Sequence, residues 1–132
     1  MNHYYANLEE ETIKNKDFRR VLFTSEHSQL VLMCVPPKED IGKEIHDLDQ
    51  FIRVEKGIGE AIIDNVHHVL SDGFAIIIPK GAEHNVVNTS PNQDLLLYSI
   101  YTPPEHKKDT IHHSKKDAIA DKDHEFDGKT SL

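Results

Sequence analysis

An imidazole can bind a metal or move a proton only where the fold fixes it, so position must sort the ten histidines of this 132-residue chain. His84 has the most constrained surroundings. It closes the run Gly73-Phe-Ala-Ile-Ile-Ile-Pro79-Lys-Gly81-Ala-Glu-His84, and Asn88 follows after Asn-Val-Val. Gly73 permits a turn, Phe74 to Ile78 read as a buried strand, and Pro79 ends it. Gly81 allows a backbone turn with positive φ. His84 then enters the next strand at a fixed height.

This spacing, G-x5-P-x-G-x2-H-x3-N, resembles the second motif of the cupin superfamily at every defining position. The resemblance implies a first motif upstream, of the form G-x5-H-x-H-x3or4-E-x6-G. The matching stretch is Gly42-Lys-Glu44-Ile-His46-Asp-Leu-Asp-Gln50, with Gly57 seven positions after Gln50. Glu44 stands where the motif has its first histidine, His46 at the second, and Gln50 where the motif has glutamate. Gly42 lies closer to these positions than the motif places it. The stretch from Glu44 to Glu55, with Leu-Tyr98-Ser-Ile-Tyr101-Thr-Pro-Pro-Glu-His106, is similar to small stand-alone prokaryotic cupins. Those proteins share both replacements and are often labelled mannose-6-phosphate isomerase-like, a label of fold more than of chemistry. The likeness runs from about Phe18 into Phe126-Asp-Gly-Lys-Thr130.

What the resemblance implies is a divalent metal held by Glu44, His46, Gln50 and His84. Strand geometry supports the placement, because residues 44 and 46 lie two apart and share a sheet face. Gln50, Ile52 and Val54 share one parity and Asp47 and Asp49 the other, which favours Gln50 over Asp49. Imidazole with oxygen ligands suits Fe, Mn, Ni, Co or Zn. One carboxylate leaves the centre positive, so an anionic or enediolate-forming ligand is stabilised there. Open coordination positions permit Lewis-acid chemistry. The competing reading is a cupin that has lost its metal, since an amide oxygen is the weaker ligand; Glu44 opposes it by restoring a carboxylate.

Other candidates are weighed against plainer roles. Tyr98 and Tyr101 have opposite parity, so one of them faces the interior; Tyr98 is the candidate proton donor or orienting group, against a Tyr that merely fills the barrel mouth. His106, after the stiff Pro103-Pro104, is a candidate acid/base or closing residue, against a solvated tail histidine. His67 and His68 point to opposite faces and have no ligand-like partner. His112 and His113 read as solvated, and Arg53 as an outward partner of Glu55. Cys34, alone in Leu-Val-Leu-Met-Cys-Val, reads as core rather than as a reactive thiol.

The elements that must position these groups are short and β-rich. From Phe18 to Pro103 eight runs (FRRVLFT, QLVLMCVP, FIRVEKG, EAIID, HHVL, FAIIIP, HNVVNT and LLLYSIYTP) alternate with turn-forming stretches. The reading is all-β, one cupin barrel (double-stranded β-helix, jelly-roll) over 18–103. Residues 1–17 form an N-terminal arm or short helix. Residues 104–132 form a polar, partly helical tail packing on or near the barrel, with Ser114 capping a helix to about Ala120 and Asp117 at its third position.

The chain is one domain by its length. Its net charge of −8 argues against nucleic acid. No apolar run is long enough to span a membrane, and the opening residues do not resemble a secretory leader. A single cysteine fits a reducing cytoplasm. The expected partner is a small molecule, and apolar residues of both parities permit a homodimer. The expected function is a metal-dependent isomerase, lyase or dioxygenase acting on a small polar metabolite such as a sugar or carboxylate. The alternative is a non-catalytic cupin that binds or senses a ligand.

Overall fold

A computed structural model describes all 132 residues. Each of the eight β-rich runs forms a strand: β1 (Arg19–Thr24), β2 (Gln29–Val35), β3 (Asp49–Lys56), β4 (Gly59–Ile63), β5 (Val66–Leu70), β6 (Ala75–Ile78), β7 (His84–Asn88) and β8 (Leu95–Thr102). A ninth strand, β9 (Ile111–His112), lies in the tail, where the polar sequence gives no strand signal. Two short helices flank the barrel. Helix α1 (Leu8–Lys14) is capped by Asn7, and α2 (Lys115–Ala120) by Ser114, whose side chain accepts from the Asp117 amide as its spacing predicts.

The strands form two antiparallel sheets, of order β6-β3-β8-β2-β1-β9 and β5-β4-β7. Their inner faces enclose one core that includes Val31, Met33, Val35, Ile52, Val54, Ala61, Val86, Leu95 and Leu97. Strand β8 is buried on both faces at its start, Leu95 to Leu97, because α1 lies against β3 and β8 on the outside. Gly57 has a φ of 115°, and a Cβ there would come within 2.7 Å of the Asp94 carbonyl oxygen. Gly81 has a φ of 87°, the positive value its turn requires.

The tail is built into the barrel. β9 extends the larger sheet by pairing Arg19 with His112 and Arg20 with Ile111. The chain leaves β8 through a cis Thr102–Pro103 bond and folds back. Gln29, almost fully buried, holds the return: its Oε1 accepts from the amides of Glu105 (3.3 Å) and His106 (3.0 Å), and its Nε2 donates to the His106 carbonyl at 2.7 Å. A bridge between His106 and Glu125 then brings the chain end alongside.

Candidate metal centre

Glu44 and His46 lie between β2 and β3, outside any ladder strand, so shared strand parity is not what unites them. A single antiparallel bridge pairs Glu44 with His84, the first residue of β7. His46 is fixed separately, its carbonyl accepting from the Gly81 amide at 2.9 Å. As a result one ligating atom from each of Glu44, His46 and His84 lies within 4.8 Å of the others. The ring centroids of His46 and His84 are 5.1 Å apart.

The hydrogen bonds prepare the ring nitrogens. His84 Nδ1 is 3.0 Å from the Ala82 carbonyl, which can only accept. Nδ1 therefore carries the proton, and the Nε2 lone pair is left for a metal. His46 Nδ1 faces the Glu105 carboxylate at 3.4 Å, and its Nε2 faces Glu44 at 3.2 Å. That second contact falls outside hydrogen-bond geometry, so His46 Nε2 is buried with only the Glu44 charge beside it. Burial opposes charge on both groups. The Glu44–His46 pairing outweighs it, holding Glu44 below its ordinary carboxylate range and His46 above the ordinary imidazole value.

Gln50 enters from β3, with Ile52 and Val54 inward on the same face. Its Nε2 donates to Ser99 Oγ (3.1 Å) and to Tyr101 Oη (3.3 Å), while its Oε1 is buried and unpartnered. Asp49, the alternative by spacing, points outward and accepts from the Lys80 amide. Glu44, His46 and His84 together form a cluster of two imidazoles and a carboxylate compatible with a divalent metal, and Gln50 Oε1 is a further buried oxygen without a hydrogen bond.

Tyr98 is corrected by the structure. It lies on the outer face of β8, opposite Arg53 and against the Phe51 ring at 6.1 Å. Tyr101 is the inward tyrosine, 2% exposed, with its ring edge-on to His46 and His106. Burial pushes its phenol well up, so it serves as a neutral hydroxyl. His106 is 1% exposed and contacts Tyr101 and His124 instead of joining the ligand cluster. Burial, then the charge of Arg19, holds its imidazole well below the usual value.

His112 is also buried, against the expectation of a solvated tail, whereas His113 is exposed and bonded to Asp17. His67 and His68 are exposed on β5, and Arg53 pairs with Glu55 at 2.7 Å. Cys34 is buried, and its thiol is pushed up to about 12, chiefly by desolvation. Two residues at the site carry no motif signal, Glu105 and Arg19. Glu105 follows the Pro-Pro pair and precedes a histidine, the one local hint that this return is functional.

Residues 31–101 match the cupin domain family. The chain belongs to that family. It is 50% identical over 107 residues to the uncharacterized protein L612 of Acanthamoeba polyphaga mimivirus, covering 78% of this chain and 67% of the relative. It is 42% identical over 127 residues to the uncharacterized protein YrkC of Bacillus subtilis strain 168, covering 91% and 68%. The crystal structure of BH2720 from Bacillus halodurans superimposes with a TM-score of 0.88 at 46% identity, covering 91% of this chain and 96% of that one.

Proposed function

We propose that the chain is a mononuclear metal-dependent cupin acting on a small polar metabolite, with Glu44, His46, Gln50 and His84 as ligands. The observation that carries this reading is the gathering of one ligating atom each from Glu44, His46 and His84 within 4.8 Å, with His46 Nε2 buried and making no hydrogen bond. A buried polar atom without a partner is costly, and a metal bond removes that cost. A divalent ion bound there supplies Lewis-acid polarisation of a substrate carbonyl.

The chain's own groups prepare the reaction. Glu105 orients His46 through Nδ1, and Ser99 and Tyr101 aim Gln50 Oε1 inward. Desolvation holds the Glu105 carboxyl above its ordinary range, so Glu105, in place of Tyr98 or His106, is the group proposed to exchange a proton beside His46. Isomerase, lyase and dioxygenase reactions all fit this arrangement. The likeness to cupins labelled mannose-6-phosphate isomerase-like adds a fold and no choice among them. The non-catalytic alternative keeps the same ligands and drops the proton-holding role of Glu105.

The lone buried Cys34 suits a reducing cytoplasm. A homodimer is proposed through the edge strands β5 and β6 and the turn between them, where Val66, Val69, Phe74 and Ile77 are exposed. No helix is long and apolar enough to cross a membrane.

The test is elemental analysis of untagged protein purified without chelator, then reconstituted. Near-stoichiometric transition metal in the wild type, lost in the Glu44→Ala/His84→Ala double variant, is expected. Far less than stoichiometric metal after reconstitution overturns the reading. Anaerobic Fe(II) loading followed by O2-uptake screening separates the dioxygenase from the other two reactions.

A further inference from the structure

Arg19 is 5% exposed, yet no carboxylate pairs with it. Its side chain makes one hydrogen bond, from Nη1 to His112 Nδ1 at 3.0 Å, and its Nε is buried without a partner. Because arginine can only donate, His112 Nδ1 accepts. The His112 proton therefore sits on Nε2, which donates to Asp121 at 2.9 Å. Asp121 is thus reached only through an imidazole, and most of the guanidinium's donors are unspent. A desolvated cation that no carboxylate bonds directly, with donors unspent, is retained at a cost, which points to a ligand that completes it.

The space it faces agrees. Arg19 lines a pocket of about 420 Å³ between β1 and α2, and Glu44, a proposed metal ligand, lines the same pocket. Lys122, His124 and Glu125 form part of its rim. Lys115, also on the wall, is committed to Asp40, so Arg19 is the free buried cation. Its charge is felt at Glu44, His46, Tyr101 and Glu105, which places it at the edge of the centre.

We propose that this pocket takes the carboxylate of a small organic acid, with Arg19 as the group that recognises it beside the metal centre. A guanidinium fork matches a carboxylate in two parallel hydrogen bonds. Glu44, Asp121 and Glu125 on the wall disfavour the two charges that a phosphate concentrates on one group more than the single charge of each carboxylate. The volume lies near the low end for small-molecule sites, which suits an acid of a few carbons. The inference rests on the reading above for what happens to the acid, and on Arg19 alone for its binding.

The experiment uses malonate as probe and malonamide as its neutral counterpart, titrated calorimetrically into the full chain, metal-free and metal-loaded. Malonate is expected to bind both forms, more weakly as salt rises, and malonamide neither. Arg19→Gln should weaken metal-free malonate binding by at least about tenfold, with Arg19→Lys intermediate. A nitrogen-15 NMR titration of the wild type follows the Arg19 Nε–H directly and keeps the test decisive should the variants fail to fold. Malonate binding that leaves that resonance unmoved, survives Arg19→Gln unchanged, or needs the metal overturns the proposal while the metal centre stands. Preference for inorganic phosphate overturns it as well. A chain that takes no metal but binds malonate through Arg19 overturns only the metal reading.

Discussion

Glu44 and His84 are clasped by two reciprocal backbone hydrogen bonds, Glu44 N–H to the His84 carbonyl at 2.8 Å and His84 N–H to the Glu44 carbonyl at 2.9 Å. Neither bond depends on the side chains. Glu44→Gln should therefore leave the metal-free protein folded, its melting temperature lowered only by loss of the Glu44–His46 pairing. Its metal affinity should drop by at least about tenfold, measured by competition with a chromophoric chelator.

Gln50 is bracketed by two hydroxyls that now accept from its amide nitrogen. In Gln50→Glu both hydroxyls can rotate and donate to the new carboxylate, which adds a charged ligand without a clash. Metal affinity should rise in the same competition assay. Gln50→Leu should lower it and cost about 1–3 kcal/mol in urea denaturation, because Ser99 and Tyr101 lose their buried partner.

The two tyrosines should separate cleanly. Tyr101→Phe removes a fully buried hydroxyl and should cost about 1 kcal/mol. Tyr98→Phe removes an outward one and should stay within about 0.5 kcal/mol. Equal losses in chemical denaturation would place Tyr98 inside.

His106 gives the fold an acid-side weakness. Burial holds its imidazole well below 6.5, so the unfolded chain takes up a proton there before the folded one does. Stability contributed by the neutral ring is complete above about pH 6.5 and lost as pH falls below it, by up to about 1.4 kcal/mol per pH unit. Urea midpoints across that range should flatten in His106→Gln.

For the proposed dimer, Val69 and Ile77 are 65% and 67% exposed on neighbouring edge strands. Val69→Asp with Ile77→Asp should shift the mass measured by light scattering from two chains to one. A wild type that is already monomeric sinks the dimer.

Much of this was legible in residue order. Short β-rich runs between turn formers marked eight strands, and parity separated Gln50 from Asp49. Parity failed on β8, where Leu95, Leu96 and Leu97 are all buried, so nothing local says which tyrosine faces in. Helix α1, packed on the outer face, is the reason. In the tail, His112 sits among charges and reads as solvated, and His106 reads as either an acid/base candidate or a solvated histidine; a chain reversal held by Gln29, some 77 residues earlier, buries His106. Arg19 was unreadable as a site residue because its neighbour Arg20 has the same side chain and an ordinary ion pair with Asp17.

The tail that walls the Arg19 pocket joins the barrel through a two-residue strand and flanking backbone bonds such as Val21 N–H to the Thr110 carbonyl, a shorter ladder than joins β2 to β8. Opening free energy scales with such attachments, so residues 107–126 should exchange their amide hydrogens well ahead of the barrel. Entry and departure of anything held by Arg19 would then be timed by this segment's excursions, while the ligand cluster behind it keeps its shape.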